Sequence, residues 1–406
     1  MFHKTRHCPD LRTAPRMETT NMTRDHTKAR FAMDNNQDSR RSRRAFIAGG
    51  CASALLMSSG AQALEASIAD HTTDHIGAPS CPGADWARFR AAFIAADGAV
   101  LDPAQGFVHS EAIGFSALLA VRFNDRATYD ALIDFAERHL RRADGLHTWS
   151  WLNGAALDAN NATDGDIFLA WARLEAHQRW ATAVPTRDIE ALKTMIVTDG
   201  ANTLLLPGGV GFQREDGAII LNPSYWVFPA LRAFARFTSD RVWSKLFATG
   251  LRLIESSAAG PFHAAPDWTI WPGMEARDAS TVSGYDAMRI PLYTAWAGVR
   301  SQTAVAMVQG WAATGQAVLP MRAGAGIGQH GAQPGDSARA QPGDSARAPS
   351  QMSRANQAHA DIAALTRDVT GAQTPGTGLD QPWCGGDYYE SVLRLLALAA
   401  RLERLR

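Results

Sequence analysis

Three carboxyl-bearing residues stand out in the sequence because each lies where a loop passes into a predicted helix. They are Glu111, Asp164 and Asp286. Two carboxyl groups held in different environments can serve as a general acid and a general base. The sequence has no G-x-S-x-G nucleophile motif, no H-E-x-x-H or paired C-x-x-C metal motif and no P-loop. Its 12 histidines are scattered, so the pattern indicates acid–base chemistry and implies neither a metal nor a cofactor.

Glu111 follows a serine in an otherwise apolar segment. Ser110 can cap the helix that begins here, which places Glu111 in its first turn. A carboxylate at this position can simply complement the helix dipole. The apolar neighbours favour a second interpretation, because removing a carboxyl group from water raises its pKa and makes it a usable general acid.

Asp164 lies in an acidic turn before a predicted apolar helix. Thr163 and Asp166 have the spacing of a helix cap and its third residue, so a cap-like arrangement accounts for Asp166. Asp164 is not needed for that cap and would point from the helix mouth toward a ligand. Upstream, Trp149 and Trp151 alternate along an extended segment. They form either a strand-like part of the core or a surface on which sugar rings stack.

Asp286 and Arg289 are three positions apart and are therefore neighbours on one helical turn. Their pairing can be a structural ion pair. It can equally lower the pKa of Asp286 and keep that carboxylate ionised, as a general base requires.

The segments that must position these residues read mainly as helices joined in pairs by short turns. Apolar residues at helical spacing predict helices over Glu111–Phe123, Ala127–Arg142, Gly165–Trp180, Arg187–Val197, Trp226–Phe237, Val242–Ala258, Arg289–Val299, Thr303–Ala313, Met352–Thr366 and Tyr388–Arg401. About a dozen paired helices in one chain suggest a single closed helical array. Leu204–Ile220 is the exception, since its glycine pairs between apolar runs are typical of a β-hairpin.

Composition excludes several classes of protein. The 406 residues are 46% hydrophobic and 20% charged, which is typical of a globular chain. Residues 1–44 hold 11 of the 40 basic and 5 of the 40 acidic residues, so the remainder carries 29 basic and 35 acidic residues, a net charge of −6. A mildly acidic body argues against nucleic acid as the main partner. Four cysteines are too few for a disulfide scaffold.

The first 63 residues read as an N-terminal extension and an export signal. Ser42–Ile47 contains a twin-arginine pattern, and a short apolar run leads to Ala61-Gln62-Ala63, which has the form of a signal-peptidase site. We therefore expect cleavage near Ala63 and a periplasmic or secreted protein. The run is too short and too rich in small residues to span a membrane, and no span is expected in the mature chain. Export would leave Cys81 and Cys384 able to form a disulfide or to remain as two buried thiols.

Residues 64–406 are expected to form one domain that carries a disordered insert at about residues 323–350. The octet AQPGDSAR occurs twice in tandem within this insert. Such a density of Pro, Gly, Asp and Ser cannot form a core. The repeat is either a functional linker or, as we favour, the product of replication slippage in a tolerant surface loop.

The three acidic segments together resemble glycoside hydrolase family 8, from about Gly83 to Arg401. Ala162–Asp166 and the helix after it follow the family signature, departing at Leu169 and Arg173, where local packing alone is affected. The segments His109–Gly114 and Tyr285–Pro291 resemble those that bear the family's general acid and base, and Asn222–Tyr225 and Leu206–Gly209 also match. The resemblance implies an all-α fold, an (α/α)6 barrel around a long acidic cleft, with a small β-hairpin excursion.

By this resemblance the protein is an endo-β-1,4-glucanase that inverts the anomeric centre. Glu111 would protonate the leaving oxygen, Asp286 would deprotonate the attacking water and Asp164 would support the distorted central sugar. An inverting pair must leave room for water, so the carboxyls of Glu111 and Asp286 are expected roughly 6.5–9.5 Å apart. Further sugar contacts are expected from Trp149, Trp151, Tyr225, Tyr285 and Arg289.

The family's periplasmic endoglucanases of bacterial cellulose synthesis are most similar in character, so the cellulose synthase machinery is a candidate partner beside the glucan chain itself. Two alternatives remain open from the sequence. The substrate could be another β-1,4 polymer such as chitosan, xylan or mixed-linkage glucan. The protein could also bind polysaccharide in the cell envelope without cleaving it, although the presence of all three carboxylates argues against that function.

Overall fold

The computed structural model describes residues 82–272, 280, 282–322, 356–372 and 386–404. Several sequence predictions lie outside these residues. They are the export signal within residues 1–63, the insert at about 323–350 with its AQPGDSAR repeats, and the two alternatives for Cys81 and Cys384, a disulfide or two buried thiols.

Helices dominate the described part of the chain. Eleven α-helices occur there: α1 (Pro82–Phe93), α2 (Ser110–Arg122), α3 (Arg126–Phe135), α4 (Thr163–Trp180), α5 (Thr186–Leu192), α6 (Phe228–Thr238), α7 (Arg241–Ser257), α8 (Arg289–Trp296), α9 (Gln302–Thr314), α10 (Gln357–Thr370) and α11 (Tyr388–Arg404). All ten predicted helices are present with shifted ends, and the largest shift is in α3, which ends at Phe135 and continues as a π-helical turn over Ala136–Leu140. Helix α1 was not predicted.

The helices form two concentric layers. Six inner helices contact one another in the order α2, α4, α6, α8, α10 and α11, and α11 returns to α2, which closes the ring. The outer helices α3, α5, α7 and α9 each pack against an inner helix next to them in sequence, whereas the outer helix α1 packs against α11. This closed arrangement of helical hairpins confirms the predicted (α/α)6 barrel.

The connectivity of the barrel determines where a site can lie. From α2 to α10 the chain alternates between the inner and outer layers, so α2, α4, α6, α8 and α10 run in one direction and present their N-terminal ends at one mouth. The inner helices are buried around most of their circumference, and every residue of α8 is buried. Such helices must be apolar on nearly all faces, which explains the weak amphipathic pattern of α2, α4 and α8 in the sequence.

The inner helices α2 and α4 approach each other unusually closely. A Cβ atom added to Gly114 would lie 2.7 Å from the Cβ of Phe168, and one added to Gly165 would lie 2.8 Å from the backbone nitrogen of Glu111. Any side chain at either position would push the two helices apart. The two glycines therefore let the first turns of α2 and α4 meet at the mouth of the barrel.

The described residues also contain short antiparallel strands in addition to the helices of the barrel. Nine are described: β1 (Val108–His109), β2 (Thr148–Leu152), β3 (Ala155–Asn161), β4 (Ile196–Asp199), β5 (Asn202–Leu205), β6 (Ile219–Leu221), β7 (Thr269–Trp271), β8 (Val282–Ser283) and β9 (Leu319–Pro320). They form one three-stranded sheet, β1-β2-β3, and the pairs β4-β5, β6-β7 and β8-β9. The β2-β3 hairpin turns at Asn153-Gly154, where both residues have positive φ, and this Asn-Gly pair is a hairpin signal that our sequence analysis did not use.

The strand pairing differs from the sequence prediction in one region. The turn at Asp216-Gly217 closes a narrow hairpin, in which Ile220 donates to the carbonyl of Phe212 over 2.8 Å. The apolar run at Leu204 does not join that hairpin, because β5 pairs with β4 instead. The predicted helix Arg187–Val197 was wrong at its end for the same reason, since Ile196 and Val197 belong to β4.

Candidate active site

The three predicted carboxylates meet around one arginine at the mouth of the barrel. The Nη1 atom of Arg289 contacts a carboxylate oxygen of Glu111 and lies 3.0 Å from Oδ2 of Asp164. Its Nη2 atom lies 2.7 Å from Oδ1 of Asp286. The guanidinium thus contacts carboxylates from three segments that are far apart in sequence.

Arg289 is itself rigidly held. Only 2% of its side chain is exposed. Nη2 also donates to Oγ of Ser224 over 2.8 Å, and the guanidinium lies 5.6 Å from the ring centroid of Tyr225. Arginine suits this position because its planar fork of donors can bond several oxygens at fixed angles.

Charge within this cluster is not balanced. One guanidinium faces three carboxyl groups, so full ionisation would leave two uncompensated negative charges. Burial raises the pKa of Asp164 to about 7, against the opposing effects of the Gly165 backbone N–H and of His109. Asp164 therefore titrates near neutral pH and can carry a proton in the free protein.

Glu111 lies in the first turn of α2, as the sequence predicted. The predicted cap was wrong: the Nδ1 atom of His109, and not Ser110, accepts from the backbone N–H of Ala112, at 3.2 Å. The Nε2 atom of the same ring lies 3.8 Å from Oδ2 of Asp102.

The predicted cap beside Asp164 was also wrong. Helix α4 begins after Ala162 with no side-chain cap, and the hydroxyl of Thr163 donates to the carbonyl of Leu206 over 2.7 Å. The carboxylate of Asp166 instead accepts from the backbone N–H of His147 at 2.9 Å and from Asn161 Nδ2 at 2.9 Å. Asp166 therefore connects the β2-β3 sheet to the start of α4. The local spacing of capping residues could not predict this interaction, because it joins two different segments of the chain.

The pair of Asp286 and Arg289, three positions apart, forms as predicted. Asp286 lies in the turn before α8, and its second oxygen, Oδ2, accepts from Nδ2 of Asn222 over 3.0 Å. Asn222 and Ser224 were not among the predicted site residues. A polar residue on each side of the helix-breaking Pro223 is the sequence signal that could identify them.

A cavity open to solvent lies over the carboxylates. It is lined by all three of them, by Arg289, and by the aromatic residues Phe107, Trp149, Tyr225, Tyr285 and Tyr389. Aromatic rings beside acidic groups suit a ligand that combines apolar faces with hydroxyl groups.

The two tryptophans of β2 have different surroundings. Trp149 lines the cavity and meets the ring of Phe107 edge-on, with centroids 5.5 Å apart. Trp151 is not among the lining residues and packs against Phe135 and His139, at centroid distances of 5.3 and 4.9 Å. Both tryptophans are half-buried and alternate with the buried Thr148 and Ser150 along β2, so the alternation holds although the surroundings of the two rings differ.

Two negative observations apply to the described residues alone. Among them, no cluster of three or more His, Cys, Asp or Glu side chains could hold a metal ion. None of the helices that the structure describes combines the length and apolar character needed to cross a bilayer.

The arrangement provides the groups that acid–base hydrolysis requires. Glu111 and Asp286 contact different amino groups of the Arg289 guanidinium, so that this cation lies between them. One protonated and one ionised carboxyl group facing a common cavity can protonate a leaving oxygen and activate a water molecule.

Comparison with known proteins gives a consistent result. The model of the family described as glycosyl hydrolases family 8 matches residues 61–403. An endoglucanase from Cellulomonas uda is 38% identical over 225 residues, which are 52% of this chain and 62% of the relative. A probable endoglucanase from Novacetimonas hansenii is 33% identical over 260 residues, which are 60% of this chain and 75% of the relative. The matched part thus spans less than two thirds of the first relative's length.

A solved structure is similar over most of the chain. The endo-β-1,4-glucanase CMCax from Acetobacter xylinum superposes with a TM-score of 0.64 at 26% identity, covering 80% of this chain and 99% of that one.

Proposed function

Because the chain belongs to glycosyl hydrolase family 8, we propose that it is an endo-β-1,4-glucanase that inverts the anomeric centre. The observation that carries this proposal is the meeting of Glu111, Asp164 and Asp286 around Arg289 beneath an open, partly aromatic cavity. The named activities of the Cellulomonas and Acetobacter relatives support the substrate class.

In the proposed reaction Glu111 is the general acid and Asp286 is the general base. Asp286 takes a proton from a water molecule while the oxygen of that water molecule forms a bond to the anomeric carbon. The glycosidic C–O bond breaks on the opposite face, and Glu111 gives its proton to the departing oxygen. The new reducing end therefore has the configuration opposite to that of the bond cleaved.

Asp164 supports the sugar at the reacting position in this proposal. Its carboxylate lies beside Glu111, on the same Nη1 atom of Arg289. Negative charge there stabilises the positive charge that develops on the sugar ring in the transition state. Arg289 keeps the three carboxylates in place, while Asn222 orients Asp286 from its other side.

The open cavity favours attack within a chain over removal of a terminal sugar. Trp149 and Tyr285 are the lining rings that we expect to pack on sugar C–H faces. Tyr225, which is 1% exposed and lies under the guanidinium of Arg289, is expected to contact substrate less directly. A distinction between β-1,4-glucan, xylan, chitosan and mixed-linkage glucan requires a substrate panel.

The experiment that tests the function measures reducing ends released from carboxymethylcellulose by the wild type and by Glu111→Gln. We expect the variant to lose at least about 10²-fold in kcat while still binding cellohexaose. NMR of the first product should show the α-anomer. Equal cleavage by both proteins would show that Glu111 is not the general acid. A β-anomer as first product would exclude the inverting mechanism.

Export and partnership with cellulose synthesis complete the proposal. They rest on the twin-arginine pattern at Ser42–Ile47 and on the glucan substrate class. Fractionation of cells that produce the full chain should place the cleaved protein outside the cytoplasm. Replacing Arg43 and Arg44 with lysine should retain it inside. Recovery of the cellulose synthase machinery with the tagged protein would support the partnership, and its absence after cross-linking would count against it.

A further inference from the structure

The turn that carries Asp286 is held from outside by a residue that the mechanism above does not use. Oδ1 of Asp267 accepts hydrogen bonds from the backbone N–H groups of Gly284 and Ala287, each at 2.8 Å. These two groups lie on either side of Asp286 in sequence. Asp267 itself comes from the segment between α7 and β7.

The contact between Asp267 and the turn leaves no free space. Gly284 and Ala287 are buried. A Cβ atom on Gly284 would lie 2.7 Å from Oδ2 of Asp267, so the second carboxylate oxygen also rests directly against the turn. One carboxylate thus bonds two buried backbone donors and packs against the backbone between β8 and α8.

Other elements hold the same turn from different directions. The hydroxyl of Tyr389 on α11 donates to the carbonyl of Tyr285 over 2.7 Å. Within the turn, the backbone N–H of Met288 donates to the carbonyl of Gly284 over 3.0 Å. The side chain of Asp286 is directed by Asn222 and Arg289, but its backbone position depends on the contacts made by Asp267 and Tyr389.

We propose that Asp267 is a positioning residue for the general base, acting on Asp286 through the backbone of residues 284–287. The proposal rests on the function assigned to Asp286 above. A base must hold its water molecule within a few tenths of an ångström of the attack position, and a displacement of about 1 Å can cost about 10²-fold in rate. Asp267 is not among the residues that line the cavity, so its loss should slow the reaction without weakening binding.

A simpler reading is that Asp267 only stabilises the fold. The two readings differ in their observable consequences. A stabilising residue would lower the melting temperature on substitution and leave turnover unchanged well below that temperature. A positioning residue would lower kcat at temperatures where the variant is fully folded.

The test compares kcat and KM on cellohexaose for the wild type, Asp267→Ala, Asp267→Asn and Asp286→Ala, with circular dichroism to confirm folding. We expect Asp267→Ala to lower kcat by about 10²-fold with KM changed by less than about threefold. Asp267→Asn keeps an oxygen that can accept both backbone bonds, and should retain most of the turnover. Asp125→Ala is the matched control, because Asp125 accepts from the backbone of Thr128 at the start of α3, away from the cavity.

The double variant Asp267→Ala/Asp286→Ala tests whether Asp267 acts only through Asp286. If Asp267 acts only through Asp286, its loss should reduce the residual rate of Asp286→Ala by less than about twofold. Full additivity of the two losses, or wild-type kcat in a folded Asp267→Ala, would overturn this inference while leaving the proposed function intact. Wild-type kcat in Asp286→Ala would overturn the assignment of the base, and with it the role of Asp267.

Discussion

The carboxylate of Asp164 lies 3.0 Å from the guanidinium of Arg289, although 125 positions separate the two residues. Both are at most 3% exposed. This contact joins the first turn of α4 to the first turn of α8, and it places Asp164 beside Glu111 on the same Nη1 atom. Several consequences of this shared cation can be measured.

Replacing Asp164 with asparagine should stabilise the protein in alkaline solution while impairing catalysis. Burial raises the pKa of Asp164 from 3.8 to about 7, so the folded state binds the proton more tightly than the unfolded state. The resulting stabilisation is complete below about pH 4 and is lost as the pH rises through about 7. Asparagine removes this dependence, and the linkage relation limits the gain at pH 8 to at most about 4 kcal/mol.

Thermal unfolding of the wild type and of Asp164→Asn at pH 4, 6 and 8 checks this expectation. The difference in melting temperature should grow with pH and almost vanish at pH 4. Activity of Asp164→Asn should fall by at least about 10²-fold at every pH. A pH-independent difference in melting temperature would contradict the shifted titration of Asp164.

Replacing Arg289 with lysine should damage both stability and turnover. An ammonium group is a single point charge and cannot bond Glu111, Asp164 and Asp286 simultaneously. Leaving buried carboxylates without their partner costs about 3–5 kcal/mol, and we expect kcat to fall by at least about 10²-fold. Arg232→Lys is the control, since that exposed arginine contacts the carbonyl of Ala297 away from the carboxylates. Equal effects of both substitutions would show that Arg289 has no special role.

Substitution of the two tryptophans of β2 should affect different properties, substrate binding in one case and protein stability in the other. Trp149→Ala removes a ring that lines the cavity and should raise KM by about 3- to 10-fold with little change in melting temperature. Trp151→Ala removes a ring packed on Phe135 and His139 and should lower the melting temperature with KM nearly constant. Steady-state kinetics and thermal unfolding of both variants decide the matter, and the reverse assignment of effects would place Trp151 in the substrate site.

His359 should limit stability in acid. Burial lowers the pKa of this histidine to about 4 from the usual 6.5, so the unfolded state binds its proton more tightly. Stability associated with the neutral imidazole is therefore lost as the pH falls from about 6.5 to 4. His359 also completes the capping box at the start of α10 with Asn356.

Glutamine at position 359 can occupy the same place in a capping box without titrating. As the pH is lowered from 6.5 to 4, we expect the melting temperature of His359→Gln to fall less than that of the wild type. His263→Gln, at an exposed histidine, is the matched control and should leave the acid dependence unchanged. An unchanged acid dependence in His359→Gln would show that another group controls acid unfolding.

Gly114 should tolerate no side chain. Alanine there would place a Cβ 2.7 Å from the Cβ of Phe168, and overpacking of this kind costs about 1–3 kcal/mol. Because α2 and α4 carry Glu111 and Asp164, we expect Gly114→Ala to lower kcat as well as the melting temperature. Gly315→Ala is not a suitable control, because Gly315 has a positive φ that disfavours any side chain. Ala117→Gly on α2, the helix of Gly114, is preferable, because it should lower stability and leave kcat unchanged.

Local sequence patterns identified the helices and the three carboxylates. The periodicity of apolar residues located ten of the eleven described helices and missed α1; it works because α-helix formation depends on neighbours three and four residues away. The same locality explains why the pair of Asp286 and Arg289 was predictable. It also explains the errors at the helix starts, where His109 replaces the expected cap by Ser110 and Asp166 bonds to His147 rather than completing a local cap.

The order of residues was enough to predict the fold class, most helix positions and the types of chemical group available. It did not predict that one arginine contacts all three carboxylates, that Trp149 lines the cavity while Trp151 does not, or that Asp267 bonds to the turn of Asp286. Each of these depends on contacts between segments far apart in the chain. Such contacts follow from the closure of the helical ring and the close approach at Gly114 and Gly165, and no local pattern of residues encodes them.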